Sequence, residues 1–361
     1  MKNICFLISN MNHSGGTERV TSLISNRLAE RGYQIFILSL SEGNNPFFPL
    51  HDSIKTFGLY SSKVNFKSNF IGCVWKVRQF IRKHHIQTLI VVDSISCLFT
   101  IPALCGLNVQ HICWEHFNYK VDLGTPFRFL GRKMAAQYCD YVVTLTQKDK
   151  KLWEAGLKKI SAEIIPISNP TPYQNITHFP DLRKKTVIAL GRLTAQKGFD
   201  LLLDAWAEVC EVRRDWKLQI IGSGEDETEL KTKVNQLKIN STIEFIPTAK
   251  DVTPYYESAS FYCLSSRFEG LPMVLLEAQA YGLPIVSFDC DTGPSDLIQQ
   301  GKEGYLVECF DTQKLAEAML SLMGLKEQEY RQMCENAKQK SQQYHSEVIV
   351  SQWIEILGSN V

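Results

Sequence analysis

The chain has 361 residues, room for two domains of ordinary size, with 44% hydrophobic and 21% charged residues, as in a soluble globular protein. No apolar run approaches the roughly 18 residues of a membrane span, and eleven cysteines spaced without a C-x-x-C pair argue against a zinc site or disulfide framework and suit a reducing cytosol. The net charge of +1 hides an asymmetry: residues 1–180 hold 20 Lys and Arg against 11 Asp and Glu, a balance of +9, while residues 181–361 hold 19 against 27, a balance of −8. Such a split points one half at an anionic surface, and the absence of an aromatic-interleaved basic motif ranks a membrane surface above nucleic acid.

The predicted elements alternate. Residues 5–9 read as a first strand, because Ser9 and Asn10 end an apolar stretch too short for a signal peptide. An amphipathic helix follows over 17–31, ended by Gly32, then strands over 34–40, 88–93, 110–114 and 141–145. Strands apolar on both faces between helices indicate a parallel sheet covered on both sides. Residues 166–180 hold four prolines and no periodicity, as a linker does. The second half repeats the pattern, with strands over 186–190, 218–221, 243–245, 261–264 and 284–288, helices over 199–213 and 225–237, and a helical tail from Gln313. Two doubly wound α/β domains facing across a deep cleft are therefore expected, with ligands outside the C-terminal strand ends.

Several loops at those ends carry candidate chemistry. After the first strand comes Ser14-Gly15-Gly16-Thr17-Glu18. Paired glycines before a helix let backbone N–H groups approach a phosphate, with Thr17 a good N-cap; tight packing is the ordinary alternative. Residues 63–85 set Lys63, Lys67, Lys76, Arg78, Arg82 and Lys83 among Phe66, Phe70, Ile71, Val74, Trp75, Val77, Phe80 and Ile81. This pattern fits a bilayer interface or a core helix with a solvated basic face. His116, in Trp114-Glu115-His116, closes a strand where it can touch a substrate or be a satisfied histidine. In Gly191-Arg192-Leu193-Thr194-Ala195-Gln196-Lys197-Gly198, two cations five residues apart suit adjacent phosphates, or solvent. Gly222-Ser223-Gly224-Glu225 is a tight turn and half of a dinucleotide fingerprint. In Arg267-Phe268-Glu269-Gly270-Leu271-Pro272 a loop aims Glu269 at a cleft beside a helix start, and Glu277 follows eight residues later inside the helix. The pair could hold a sugar ring and a ribose, or be ordinary loop and helix acids. Asp289-Cys290-Asp291 matches a manganese D-x-D, but no third ligand is near and the reading goes against metal.

At these residues the chain resembles the retaining glycosyltransferases of family 4, which have the GT-B fold. The likeness spans nearly the whole length and rests on Gly15-Gly16, His116, Gly191-Arg192 with Lys197, the turn at Gly222, and the E-x7-E signature from Glu269 to Glu277. Ser14-Gly15-Gly16-Thr17-Glu18-Arg19 and Asp291-Thr292-Gly293-Pro294-Ser295 are similar to the branch that builds bacterial polysaccharides, including amylovoran and O-antigen enzymes. The resemblance implies that Arg192 and Lys197 bind the donor diphosphate, Glu277 the ribose and Glu269 the transferred sugar. His116 would stand near the reacting centre, and Gly15, Gly16, Gly222, Gly270 and Leu271 would line the donor site. No metal or other cofactor is implied. It implies an acceptor- and membrane-facing domain over 1–170, a linker over 171–182, a nucleotide-sugar domain over 183–345 and a final helix over 346–361 packing back on the first domain. The expected partners are a nucleotide diphosphate sugar, UDP-linked, a polyprenyl-diphosphate-linked oligosaccharide and an anionic membrane surface, with no nucleic acid. The place of action would be the cytoplasmic face of the inner membrane. A GT-B nucleotide-sugar 2-epimerase, a non-catalytic nucleotide-binding module and a nicotinamide-dependent oxidoreductase are the rival readings.

Overall fold

The computed structural model describes residues 2–64 and 68–358. Phe66 and Lys67 of the basic stretch lie outside them. The chain divides into two compact units, one of Met1–Pro170 with Ser346–Val361, the other of Thr171–His345.

The first unit is built on seven parallel strands: β1 (Asn3–Ile8), β2 (Gln34–Ser39), β3 (Lys55–Gly58), β4 (Thr88–Val92), β5 (Gln110–Trp114), β6 (Tyr141–Thr144) and β7 (Glu163–Pro166). Their order is β3-β2-β1-β4-β5-β6-β7. The winding reverses between β1 and β4, which makes the C-terminal ends of β1, β4 and β5 the natural ligand edge. β1, β2 and β4 are almost wholly buried, as their unbroken apolar runs require. The helix Ser346–Leu357 belongs to this unit. Trp353 is fully buried with its ring 4.9 Å from that of Trp114, and Gln110 donates to the Ile356 carbonyl at 2.8 Å.

The second unit holds six parallel strands: β8 (Thr186–Leu190), β9 (Lys217–Ile221), β10 (Ile243–Ile246), β11 (Phe261–Leu264), β12 (Ile285–Phe288) and β13 (Gly304–Val307), in the order β10-β9-β8-β11-β12-β13. Its switch point lies between β8 and β11. Trp206, Trp216, Phe261 and Met319 sit in one buried cluster on this sheet.

Three strands escape the sequence pattern: β3, β7 and β13. Each is a sheet edge with mixed burial, so none carries the continuous apolar run that marks a central strand. Three local expectations are corrected. The first helix begins at Gly16 with Gly15 as its cap, so Thr17 lies in the first turn, where its hydroxyl donates to Glu18 Oε2 at 2.9 Å. The helix expected from Glu225 begins at Glu227, because the Asp226 N–H is held by the Leu193 carbonyl at 3.1 Å. Pro284 precedes β12 rather than opening it; having no N–H, it contributes only its carbonyl, which accepts from Tyr262 at 2.9 Å.

Candidate active site

In the second unit the predicted residues gather at the C-terminal edge, on the loops that leave β8, β9 and β11. The β8 loop carries Arg192 and runs through a short turn, Ala195–Lys197, into Gly198 and the helix Phe199–Val212. Gly198 must be glycine: its φ is +63°, and a Cβ there would stand 2.1 Å from the Ser265 carbonyl oxygen. The β9 turn is packed into this loop. A Cβ on Gly222 would lie 1.9 Å from the Gly191 oxygen, and one on Gly224 would lie 2.1 Å from that of Leu193. Close packing of two loops therefore accounts for this glycine pair, with Gly222 placed directly behind Gly191.

The β11 loop meets the β8 loop side chain to side chain. Lys197 Nζ stands 2.6 Å from Glu269 Oε1. Gln196 donates to the Phe268 carbonyl at 3.2 Å, the Arg267 N–H to that of Gln196 at 2.8 Å, and Ser265 Oγ to that of Lys197 at 3.0 Å. Arg267 grips Asp200 with two bonds of 2.8 and 2.7 Å, which holds the Asp200 carboxyl below its usual pKa. Glu269 is 7% exposed, and its carbonyl accepts from Thr292 at 2.7 Å. Gly270 and Leu271 follow in the same loop, Leu271 buried, with Gly293 folded close over Gly270.

Glu277 stands in the helix Met273–Ala280, buried, and accepts from the Tyr256 hydroxyl at 2.8 Å. Burial and the Glu277 charge push the Tyr256 hydroxyl pKa well above its usual value. Tyr256 stacks on Tyr281 at 5.1 Å and on Tyr262 at 6.4 Å, and the Tyr262 hydroxyl donates to the Leu190 carbonyl at the end of β8. An aromatic wall thus links Glu277 to the β8 loop. Arg192 is exposed; its carbonyl accepts from the Thr194 N–H at 2.8 Å, while its guanidinium makes no hydrogen bond or ion pair among the described residues. Asp289 and Asp291 line a cavity of about 520 Å³ with Arg267 and Glu308.

In the first unit, Gly15 and Gly16 follow β1 and His116 follows β5, on the same sheet edge. The Gly-Gly turn is occupied from within: a Cβ on Gly15 would stand 2.4 Å from Glu18 Oε2, a carboxylate set over the helix start. The His116 ring lies 4.5 Å from that of Trp114, and its Nε2 is buried with no hydrogen-bond partner among the described residues. Burial pushes its pKa down to about 4, so the ring is neutral at pH 7.

Four residues around it were not singled out by the sequence. Glu115 is fully buried and accepts the N–H groups of His116 and Phe117, both at 3.1 Å, the hydroxyl of Ser94, and Arg132 Nε at 3.2 Å. Burial alone would raise its carboxyl pKa, but Arg132, Ser94 and Arg128 outweigh burial and hold it below the usual value. Arg132 also donates to the carbonyls of Tyr119 and Val121, at 2.6 and 2.7 Å, and so spans the loop after His116. Beside it Arg128 grips Asp93 at 3.0 and 2.7 Å and lies over the Phe117 ring. Asp93 adopts a φ of +93°, rare outside glycine. Burial and then the Glu115 charge raise its carboxyl pKa to about 6. Only the dense charge of residues 115–132 could have hinted at this; the pairing depends on topology.

Residues 14–170 match the model of Glycosyltransferase Family 4, and residues 175–340 match that of Glycosyl transferases group 1. An uncharacterized glycosyltransferase of Haemophilus influenzae is 38% identical over 99% of this chain and all of its own length. The amylovoran biosynthesis glycosyltransferase AmsD of Erwinia amylovora is 31% identical over 99% of this chain and 100% of its own. The chain belongs to this glycosyltransferase family. A Campylobacter jejuni α-1,4-N-acetyl-D-galactosaminyltransferase, named for a GalNAc disaccharide on diNAcBac-PP-undecaprenol, is 27% identical over 99% of both chains. Among solved structures, Anabaena HepE in complex with UDP and glucose superposes with a TM-score of 0.79 at 15% identity, covering 99% of each chain, which places this glycosyltransferase in the GT-B fold.

The basic stretch is resolved into two faces. In the helix Phe70–Lys83, Cys73, Val77 and Ile81 are buried, while Ile71 is 81% and Trp75 60% exposed. Lys76 and Arg78 are engaged inward, donating to the carbonyls of Leu59 and of Ala103 and Cys105, so among the described residues Lys63, Arg82 and Lys83 are the exposed cations there. Phe129, Leu130 and Tyr138 are exposed on the helix Pro126–Tyr138. Among the described residues no helix is long and apolar enough to cross a membrane.

Proposed function

We propose that this glycosyltransferase moves a hexose or N-acetylhexosamine, with retention, from a UDP-linked sugar to a polyprenyl-diphosphate-linked oligosaccharide during assembly of a bacterial surface polysaccharide. The observation that carries the reading is the Lys197–Glu269 pair, which sets a cation and a carboxylate side by side at the switch point of the second unit. Arg192 and Lys197 bind the diphosphate and neutralise it as it departs. Glu277, held by Tyr256, binds the ribose, while Glu269 accepts hydroxyls of the transferred sugar. Gly222, Gly270 and Leu271 shape the donor pocket, and Gly15 and Gly16 approach the phosphates once Glu18 swings aside. His116 offers its unpartnered Nε2 to the sugar near the reacting carbon. No carboxylate stands out as a nucleophile, which favours front-face attack by the acceptor hydroxyl, with the donor phosphate as base.

The relatives named for amylovoran and for an undecaprenol-linked acceptor, and the UDP complex of HepE, support the acceptor class and the donor nucleotide. Ile71 and Trp75 with Arg82 and Lys83, in a half of charge +9, fit docking on the anionic cytoplasmic face of the inner membrane. The test is a donor screen: UDP-Gal, UDP-GalNAc, UDP-Glc, UDP-GlcNAc and GDP-Man, with nucleotide diphosphate release followed with and without a lipid-extract acceptor. Acceptor-stimulated release from a UDP-sugar is expected. Release independent of acceptor, or restricted to GDP-Man, overturns the reading.

A further inference from the structure

The first unit gathers three scattered cysteines and a histidine inside its core. His111 and Cys113 stand two residues apart on β5 and share a face. Cys97 opens the helix Cys97–Leu104, and Cys139 follows the helix Pro126–Tyr138. All four are buried. Cys97 Sγ and Cys139 Sγ are 4.0 Å apart, Cys139 Sγ is 3.5 Å from His111 Nδ1, and the ligand atoms of Cys97, His111 and Cys139 all lie within 4.8 Å of one another.

The hydrogen bonds fix the state of the imidazole. Thr100 donates its hydroxyl proton to the Ser96 carbonyl at 3.1 Å, so its oxygen accepts from His111 Nε2 at 3.1 Å. The ring proton is then on Nε2, and Nδ1 turns a bare lone pair toward sulfur. A metal-bound histidine has the same arrangement, one nitrogen anchored as a donor and the other free to coordinate. A tetrahedral zinc with bonds of about 2.3 Å to sulfur and about 2.0–2.1 Å to nitrogen sets S···S near 3.8 Å and S···N near 3.6 Å, by geometry. The observed 4.0 and 3.5 Å need little adjustment.

We propose that Cys97, Cys139 and His111 form a buried structural zinc site. Binding displaces the thiol protons of Cys97 and Cys139, and the two thiolates balance the charge of the ion, so no net charge enters the apolar core. The site ties β5, which ends in Glu115 and His116, to the two helices beside it, one of which carries Arg128 and Arg132.

The test is the metal content of the whole protein, produced with zinc in the medium and purified under reducing conditions without chelator. Zinc equimolar with protein is expected, and exchange for Co²⁺ should give a sulfur-to-cobalt charge-transfer band. Cys139→Ser should lose both. Cys105→Ser, which removes an exposed thiol outside the cluster, should lose neither. Should Cys139→Ser fail to fold, the content of the unaltered protein and of Cys105→Ser still decides. Far less than equimolar zinc with no cobalt band overturns the site in favour of a plain Cys139 S–H to His111 Nδ1 bond, and loss of zinc in Cys105→Ser assigns the metal to the surface.

Discussion

Lys197 Nζ lies 2.6 Å from Glu269 Oε1, although the two residues are 72 positions apart and leave neighbouring strands on opposite sides of the switch point between β8 and β11. Each charge is the other's partner. In the function proposed above, a diphosphate arriving at Lys197 would supply a second anion and free Glu269 to accept hydroxyls of the sugar.

Glu269→Gln keeps the shape of the side chain and removes the charge. Transfer should fall by roughly 100- to 1000-fold, the scale for losing one preorganised polar contact in a transition state. UDP affinity by calorimetry should change only a few-fold. Full turnover in this variant would remove Glu269 from the sugar site.

Arg192→Ala removes an exposed cation with no partner among the described residues, so the melting temperature should not move. UDP binding should weaken by about 10- to 100-fold, the worth of a charge-assisted bond of about 1.5–3 kcal/mol. Unchanged affinity would separate Arg192 from the diphosphate.

Arg132→Met leaves Glu115 buried beside an apolar side chain. Breaking such a pair costs about 3–5 kcal/mol, to be read from denaturant unfolding, and Glu115→Gln in the same background should recover part of it. If Arg132→Met retains full stability, the pair is not what holds the loop after His116.

His116 has a folded pKa of about 4, below its usual 6.5, so between those values the unfolded chain binds the extra proton and stability is lost on acidification. Asp93, raised to about 6, and Asp149, raised to about 7 by burial, act in the opposite sense over much of that window, because there the folded chain holds their protons. The raw pH profile therefore mixes both signs. The difference between the unaltered protein and His116→Phe isolates the histidine. Relative to the variant, the unaltered protein should lose stability as pH falls from 6.5 to 4, at up to about 1.4 kcal/mol per unit. A difference that stays flat would show that His116 can take up a proton in place.

Binding to anionic vesicles should be strong at low salt and fade toward 1 M salt, where the screening length shrinks to about 3 Å. Ile71→Ser with Trp75→Ser should weaken it even at low salt, since both side chains stand outward. Binding that ignores both changes would sink the docking face.

The central strands were legible because β1, β4, β8 and β11 carry unbroken apolar runs that only a doubly covered sheet can bury. The edges β3, β7 and β13 were not, since a half-exposed strand of four residues leaves no such run. Glu269, Glu277, Arg192, Lys197 and His116 could be named from motif and strand end, because each stands on a loop that leaves the sheet or, for Glu277, on the helix that follows it. Their partners could not. Tyr256 reaches Glu277 across 21 residues and Arg132 reaches Glu115 across 17, by helix packing that no local pattern encodes. The thiols of Cys97 and Cys139, 42 apart, meet for the same reason.

The fully buried Trp353 comes from the end of the chain, yet it backs Trp114, against which the His116 ring rests. The first unit is therefore interrupted in sequence: its sheet emerges from the ribosome first, but its last helix follows the whole of the second unit. At about 5–20 residues per second, the 187 residues between Pro170 and Leu357 take roughly 10–40 s to synthesise. During that interval Trp114 waits for Trp353 while the second unit is being made. The unit begun first is thus the last to be completed, and the histidine gains its support at the end.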